Sequence, residues 1–197
     1  DPNLRHKAQI AHDAGVPILV YSWVYPGDNG HSATRAEAAV ELLAADGIGS
    51  TSFIWHDYEQ AGAQPGDAEA GVNLAAAHGY GTGIYTYLYL LTGQPGLADV
   101  VRAAQANGHP LWLAYYPTEG SDYDPSFSTT ARQWGAVLHQ FTSTNGSRDL
   151  SAVLDDEWWA SVSEGGASNM PSTQEVVDAL TKPSEFGVSP MEGAVLA

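Results

Sequence analysis

Ser52-Phe53-Ile54-Trp55-His56-Asp57-Tyr58-Glu59-Gln60 is an apolar run that ends in two acids and is followed at once by a loop, 61–66, carrying glycine and proline. Its length and its aromatic content predict a strand. A helix-length segment lies on either side. Before it, Thr34 with Glu37 three residues later reads as a capping box opening a helix to about Ala45. After it, the alanine-rich segment 67–78 stops at Gly79, a good helix former with a glycine terminator. A strand set between two helices belongs to βαβ units, whose strands run parallel.

The alternation continues in both directions. Residues 4–14 read as a helix ended by Gly15, followed by a β-rich run over 18–23 and a polar loop over 26–32. Downstream, Ile84-Tyr85-Thr86 is strand-like, 97–106 is helical and stopped by Asn107-Gly108, and 110–116 is an apolar run bounded by prolines. Residues 122–130 read as loop, 136–142 as a strand and 150–153 as a last short one. The strands number about six, whereas a closed (βα)8 barrel has eight. The expected fold class is therefore α/β, a (βα)8-like barrel of mostly parallel strands, incomplete at the N-terminus. Residues 1–162 are expected to form this barrel domain. From 163 onward the texture changes to Ser163-Glu164-Gly165-Gly166-Ala167-Ser168, and 163–197 read as linker and tail in which Ser172 and Glu175 could cap one short helix.

Composition narrows the function classes. The chain has 197 residues, 44% of them hydrophobic, enough for one sizeable core. Seven basic residues against 23 acidic ones leave a formal charge of -16, which disfavours phosphate backbones and anionic lipid, so neither nucleic acid nor membrane is an expected partner. No cysteine is present, which excludes disulfides, thiolate nucleophiles and cysteine-ligated metals. The seven histidines show no HExxH or i, i+4 pairing, so no metal site is expected. No apolar run approaches the roughly 20 residues that span a bilayer, and the chain opens on Asp1-Pro2 instead of a basic and then apolar leader.

The chemistry concentrates at the end of the opening stretch. Side chains at i and i+2 of a strand share a face, so Asp57 and Glu59 project together while His56 points away, to be packed under helices. The C-terminal rim, where this strand runs out, is where parallel barrels build their sites. Two acids this close cannot both ionise freely, so one should keep its proton near neutral pH. An acid that can protonate a leaving oxygen beside a group that supports the reacting carbon is what glycoside hydrolysis needs. The plainer reading of a short Asp-x-Glu pattern is two ordinary surface acids at a solvated strand end.

Seven motifs stand in a fixed order: Asp1-Pro2 before a helix ending Ala14-Gly15; Tyr21 on the next strand; Asp57-Tyr58-Glu59; Gly83-Ile84-Tyr85-Thr86; Leu111-Trp112-Leu113-Ala114-Tyr115-Tyr116; His139-Gln140-Phe141-Thr142-Ser143; and Asp149-Leu150. In this order and at these intervals the chain resembles the glycoside hydrolase family 25 lysozymes, the muramidases of bacteriophage endolysins and bacterial autolysins, over roughly residues 1–153. The resemblance implies hydrolysis of the β-1,4 bond between N-acetylmuramic acid and N-acetylglucosamine in peptidoglycan, without cofactor, at the bacterial cell wall, by an extracellular or virion-associated protein. By position, Glu59 matches the general acid/base. Asp57 matches the acid that supports the reacting centre, directly or by orienting the substrate's 2-acetamido group, and Asp149 matches a further acid at the rim. Tyr21, Tyr85, Trp112, Tyr116 and Gln140 match groove-lining positions, a role that suits rings on which sugar faces stack. Tyr21, Tyr85 and Trp112 could equally fill the barrel interior. The family's first strand, with another active-site aspartate, and its second strand have no counterpart here, so either the chain is a fragment of a longer product, or an upstream polypeptide segment acts as a partner that completes the barrel, or the module is degenerate. Two other readings stay open: a non-catalytic wall-binding or structural module of a phage tail on the same barrel, and a glycosidase of different specificity.

The remaining signals are read as structural. Gly79-Tyr80-Gly81-Thr82-Gly83 follows a helix and precedes a strand, the reverse of a dinucleotide fingerprint, and is expected to be a tight turn. Asp155-Asp156-Glu157 before Trp158-Trp159 reads as a charged helix start with two anchoring rings, and Asn145-Gly146-Ser147 reads as a turn.

Overall fold

The computed structural model of the chain describes residues 3–48, 53–117, 123–142 and 149–163. Chain order is α1 (Leu4–Asp13), β1 (Val20–Trp23), α2 (His31–Ala45), β2 (Phe53–Tyr58), α3 (Pro65–Ala77), β3 (Gly81–Tyr87), α4 (Leu88–Gly93), α5 (Leu97–Ala106), β4 (Leu111–Ala114), a 3-10 turn (Pro125–Ser128), α6 (Thr129–Gln133), β5 (Ala136–Thr142), β6 (Leu150–Val153) and α7 (Asp156–Ser163). The six strands lie side by side in chain order; β1 to β5 are parallel, and β6 runs antiparallel to β5. The α/β class with a mostly parallel sheet is as expected, and six strands alternating with helices form an incomplete barrel. No described helix is long and apolar enough to cross a membrane.

The two faces of the sheet are packed differently. The outer face carries Ile54, Tyr58, Ile84, Leu111 and Leu113 against the apolar stripes of α2, α3 and α5, with Leu43, Val72, Leu97 and Val101 among the buried residues. His56 is also on this face, fully buried, its Nδ1 3.0 Å from the Ser32 hydroxyl of α2. Burial holds this imidazole neutral, its pKa lowered to about 4.

The inner face is aromatic: Phe53, Trp55, Tyr85 and Trp112 pack with Ala114 and Leu138. Rings of this size need room on the neighbouring strand, and β3 supplies it with glycines. A Cβ at Gly83 would fall 2.6 Å from the Trp55 ring and 2.6 Å from the Pro110 carbonyl, and one at Gly81 would fall 2.6 Å from Phe53. The glycine-rich segment expected to be a turn is thus partly strand, with two of its glycines serving the packing of β2.

α7 turns back onto the same inner face. Trp158 lies edge-on to Phe53 at 5.4 Å and to Trp55 at 5.6 Å, and Val162 joins the cluster. The indole nitrogens of Trp55 and Trp158 are both buried with no acceptor among the described residues, so ring packing outweighs an unmet N–H at each. Trp158→Ala is expected to cost about 3 kcal/mol, read as a lower urea midpoint. An unchanged midpoint would mean that α7 does not hold this face.

Several local expectations are corrected. α2 begins at His31, one turn before Thr34, because Asp28 in the preceding loop accepts from Ser32 N at 2.6 Å and takes the capping role. The capping box is found on α3 instead, between Gln64 and Asp67. Asp67 also accepts from Gly27 N at 3.2 Å, tying the loop after β1 to α3. The segment 122–130 is not simple loop, since the described part holds the 3-10 turn and the start of α6, opened by Asp124 accepting from Ser126 N. α4 had no signal of its own. Asp1-Pro2, the turn expected at Asn145-Gly146-Ser147 and the tail expected from 164 onward lie outside the described residues; Ser163 closes α7 and is buried.

Candidate active site

Register places the acids. In parallel neighbours, residues at one level point to one side, and Asp57 is level with Trp23 of β1 and Tyr85 of β3. Its carboxyl therefore lies on the aromatic inner face, at the C-terminal end of β2, with a residue exposure of 6%. Glu59 follows one step past the strand and is half-buried.

Asp149 reaches the same rim by a different route. Because β6 is antiparallel, its first residue, Leu150, pairs with Thr142 at the C-terminal end of β5. The exposed Asp149 just before it is thereby delivered to the end of the sheet that carries the other acids, close enough for its charge to act on Asp57, Glu59 and Tyr21.

Burial and mutual repulsion set the protonation of the group. Asp57 is pushed up to about 8, first by burial and then by the charges of Glu59 and Asp149. Its Oδ1 is buried with no hydrogen-bond partner among the described residues, so nothing there compensates the ionised form. Glu59 is also raised by burial, opposed by a hydrogen bond from the Tyr87 hydroxyl and reinforced by Asp149. Asp57 therefore holds its proton through neutral pH.

The rings make the floor and walls. Tyr85 and Trp112 are buried, 4.8 Å apart edge to face, and Trp112 Nε1 donates to the Ser151 hydroxyl at 3.2 Å. Both are interior packing and site floor at once. Tyr21 is 41% exposed, its hydroxyl pKa raised by burial and by Asp57, Asp149 and Glu59. Gln140 is buried, and its Nε2 donates to the Tyr116 hydroxyl at 2.9 Å. Behind Tyr116, His139 Nε2–H donates to the Tyr115 carbonyl at 2.8 Å while Nδ1 accepts from the Ser128 hydroxyl at 2.9 Å, which anchors the turn after β4 from the outer face. All eight residues singled out from the sequence thus lie on or beside the inner face near one rim.

Three further rings were not singled out. Trp23, 38% exposed, is level with Asp57 and hydrogen-bonds the Tyr21 hydroxyl. Tyr87 bonds Glu59, and Tyr89, 65% exposed, lies 5.4 Å from the Tyr87 ring. The signal for two of them was present: Trp23 stands two residues from Tyr21, and Tyr87 two from Tyr85, on strands of period two. Among the described residues, no group of three or more His, Asp or Glu side chains is arranged to hold a metal ion.

No protein-family model matches the chain, and no curated protein does. Among solved structures, the chain is similar to the catalytic domain of endolysin ply40 from bacteriophage P40 of Listeria monocytogenes, with a TM-score of 0.56 and 15% identity, covering 83% of this chain and 79% of that one. At that identity the likeness establishes the fold.

Proposed function

We propose that the chain hydrolyses the glycan strands of bacterial peptidoglycan at the β-1,4 bond between N-acetylmuramic acid and N-acetylglucosamine, with Glu59 as general acid/base. The observation that carries this reading is the buried, proton-holding Asp57 beside a half-buried Glu59 at the rim of an aromatic-lined barrel face. Likeness to an endolysin catalytic domain supports the choice of cell wall over other polysaccharides.

In this reading the sugar chain lies over Tyr21 and Trp23 and reaches Glu59, which gives its proton to the glycosidic oxygen as the bond to the sugar C1 breaks. A carboxyl that stays neutral to about 8 is poorly suited to hold an oxocarbenium by charge. Asp57 is better suited to orient the substrate's 2-acetamido group, whose carbonyl oxygen then bonds to C1. Water opens that intermediate, and Glu59 takes the proton back. Asp149 adds negative potential at the rim, and the upstream segment implied by the resemblance would add to this face.

The pH dependence follows from the environment of Glu59. Glu59 must be protonated to act, and burial raises its pKa above the usual 4.5. Release of new reducing ends from purified peptidoglycan should therefore fall on an alkaline limb that lies above that value. A limb at or below 4.5, or activity with no alkaline limb at all, would contradict the assignment. Mass analysis of the released sugars distinguishes a muramidase from a glycosidase of other specificity. Sedimentation with cell walls, with no loss of turbidity and no reducing ends, would favour the non-catalytic wall-binding module instead.

A further inference from the structure

The inner face sets Glu59 beside a held tyrosine. Asp57 is level with Tyr85 and Tyr58 with Thr86, so Glu59, one step on, comes next to Tyr87 on the same face. Tyr87 is the hydrogen-bond partner of Glu59, Tyr85 and Tyr116, and Gln140 Nε2–H donates to the Tyr116 hydroxyl at 2.9 Å. The rings that carry these hydroxyls are packed in place, Tyr87 edge-on to Tyr116 at 5.9 Å and to Tyr85 at 5.9 Å. An ionised carboxylate can only accept, so towards Glu59 in that state Tyr87 is the donor, and with one proton to give it accepts from its other partners.

We propose that Tyr87 is a positioning residue for Glu59, held by Tyr85 and by the Gln140–Tyr116 pair so that its hydroxyl stays aimed at that carboxyl. This rests on the role given to Glu59 above. A fixed donor on one carboxyl oxygen leaves the other to face the groove. It also strengthens as Glu59 loses its proton, because a hydroxyl bonds a carboxylate more strongly than a neutral acid. The hydrogen bond therefore favours the state of Glu59 that exists once the glycosidic oxygen has been protonated, and no proton passes along the chain itself. Two oriented donors converge on Tyr87, which tightens its bond to Glu59 beyond that of an isolated tyrosine.

The test is the titration of Glu59 in the free protein, followed by carboxyl-carbon nuclear magnetic resonance, together with kinetics. Tyr87→Phe should raise the Glu59 pKa by about one unit, the loss of a hydrogen bond to the charged form. Tyr116→Phe should raise it less, acting through Tyr87. In reducing-end assays the alkaline limb of Tyr87→Phe should move up by the same amount, and kcat should fall about tenfold with KM little changed. If both variants fold and the Glu59 titration stays where it was, the inference is overturned. If the titration moves as stated while the wild-type protein cleaves no glycan, the hydrogen-bond chain stands and the proposed function fails.

Discussion

Glu59→Gln is expected to lower the release of reducing ends from purified peptidoglycan by about 10²- to 10⁴-fold, with binding to cell walls kept. Gln preserves the size of the side chain and can still accept from Tyr87, but it has no proton to give to a leaving oxygen. The half-buried position of Glu59, one residue beyond β2, means that the change touches little packing. The thermal midpoint should therefore stay within a few degrees of the parent. Loss of activity together with unfolding would be uninformative about chemistry, so far-UV circular dichroism of the variant belongs to the same experiment. Equal release by parent and variant would remove Glu59 from the mechanism, and with it the reading of this rim as a glycosidase site.

The second large effect has opposite signs for stability and activity. Asp57→Asn should abolish most turnover, because the amide's NH2 cannot reproduce the carboxyl's hydrogen bonds to the acetamido group, yet it should stabilise the fold at neutral and alkaline pH. The carboxyl titrates at 3.8 when unfolded and at about 8 in the fold. Folding thus favours the neutral form, and the stability linked to it is full below about 4 and declines as pH rises towards 8. Asn is neutral throughout and escapes that decline. A gain that grows with pH, by up to about 1.4 kcal/mol per pH unit, is expected as a widening difference in thermal midpoint, shrinking to nothing near pH 4. A difference between parent and variant that does not change with pH would mean that Asp57 is not held in its neutral form, and the division of labour between the two acids would have to be reversed.

Much of the scaffold was legible in local pattern. β2, α5, β5 and β6 fall where apolar runs and glycine stops put them, because residues two apart on a strand share a face and a glycine that takes a positive φ, as Gly108 does after α5, stops a helix. The same parity placed Asp57 on one face and His56 on the other. It likewise puts Trp23 on the face of Tyr21 and Tyr87 on the face of Tyr85.

The start of α2 was misread for a reason that is not local. Thr34 and Glu37 satisfy the capping-box spacing, but Asp28 reaches Ser32 N from a loop held against α3 by Asp67, so the helix gains a turn that its own sequence does not announce. The glycines of β3 were read as a turn because their use, making room for Trp55 and Phe53, depends on a neighbouring strand some 30 residues away.

The sequence alone determined the alternation of strands and helices, the face to which each strand residue turns, and the pairing of two acids at the end of an apolar strand, since all three depend on periodicities of a few residues. The tertiary structure decided which acid keeps its proton, what donates to Glu59, and how Asp149 comes to stand near both. Burial, the aim of the Tyr87 hydroxyl and the antiparallel return of β6 each arise from segments far apart in the chain, and an electrostatic environment exists only once those segments have been brought together.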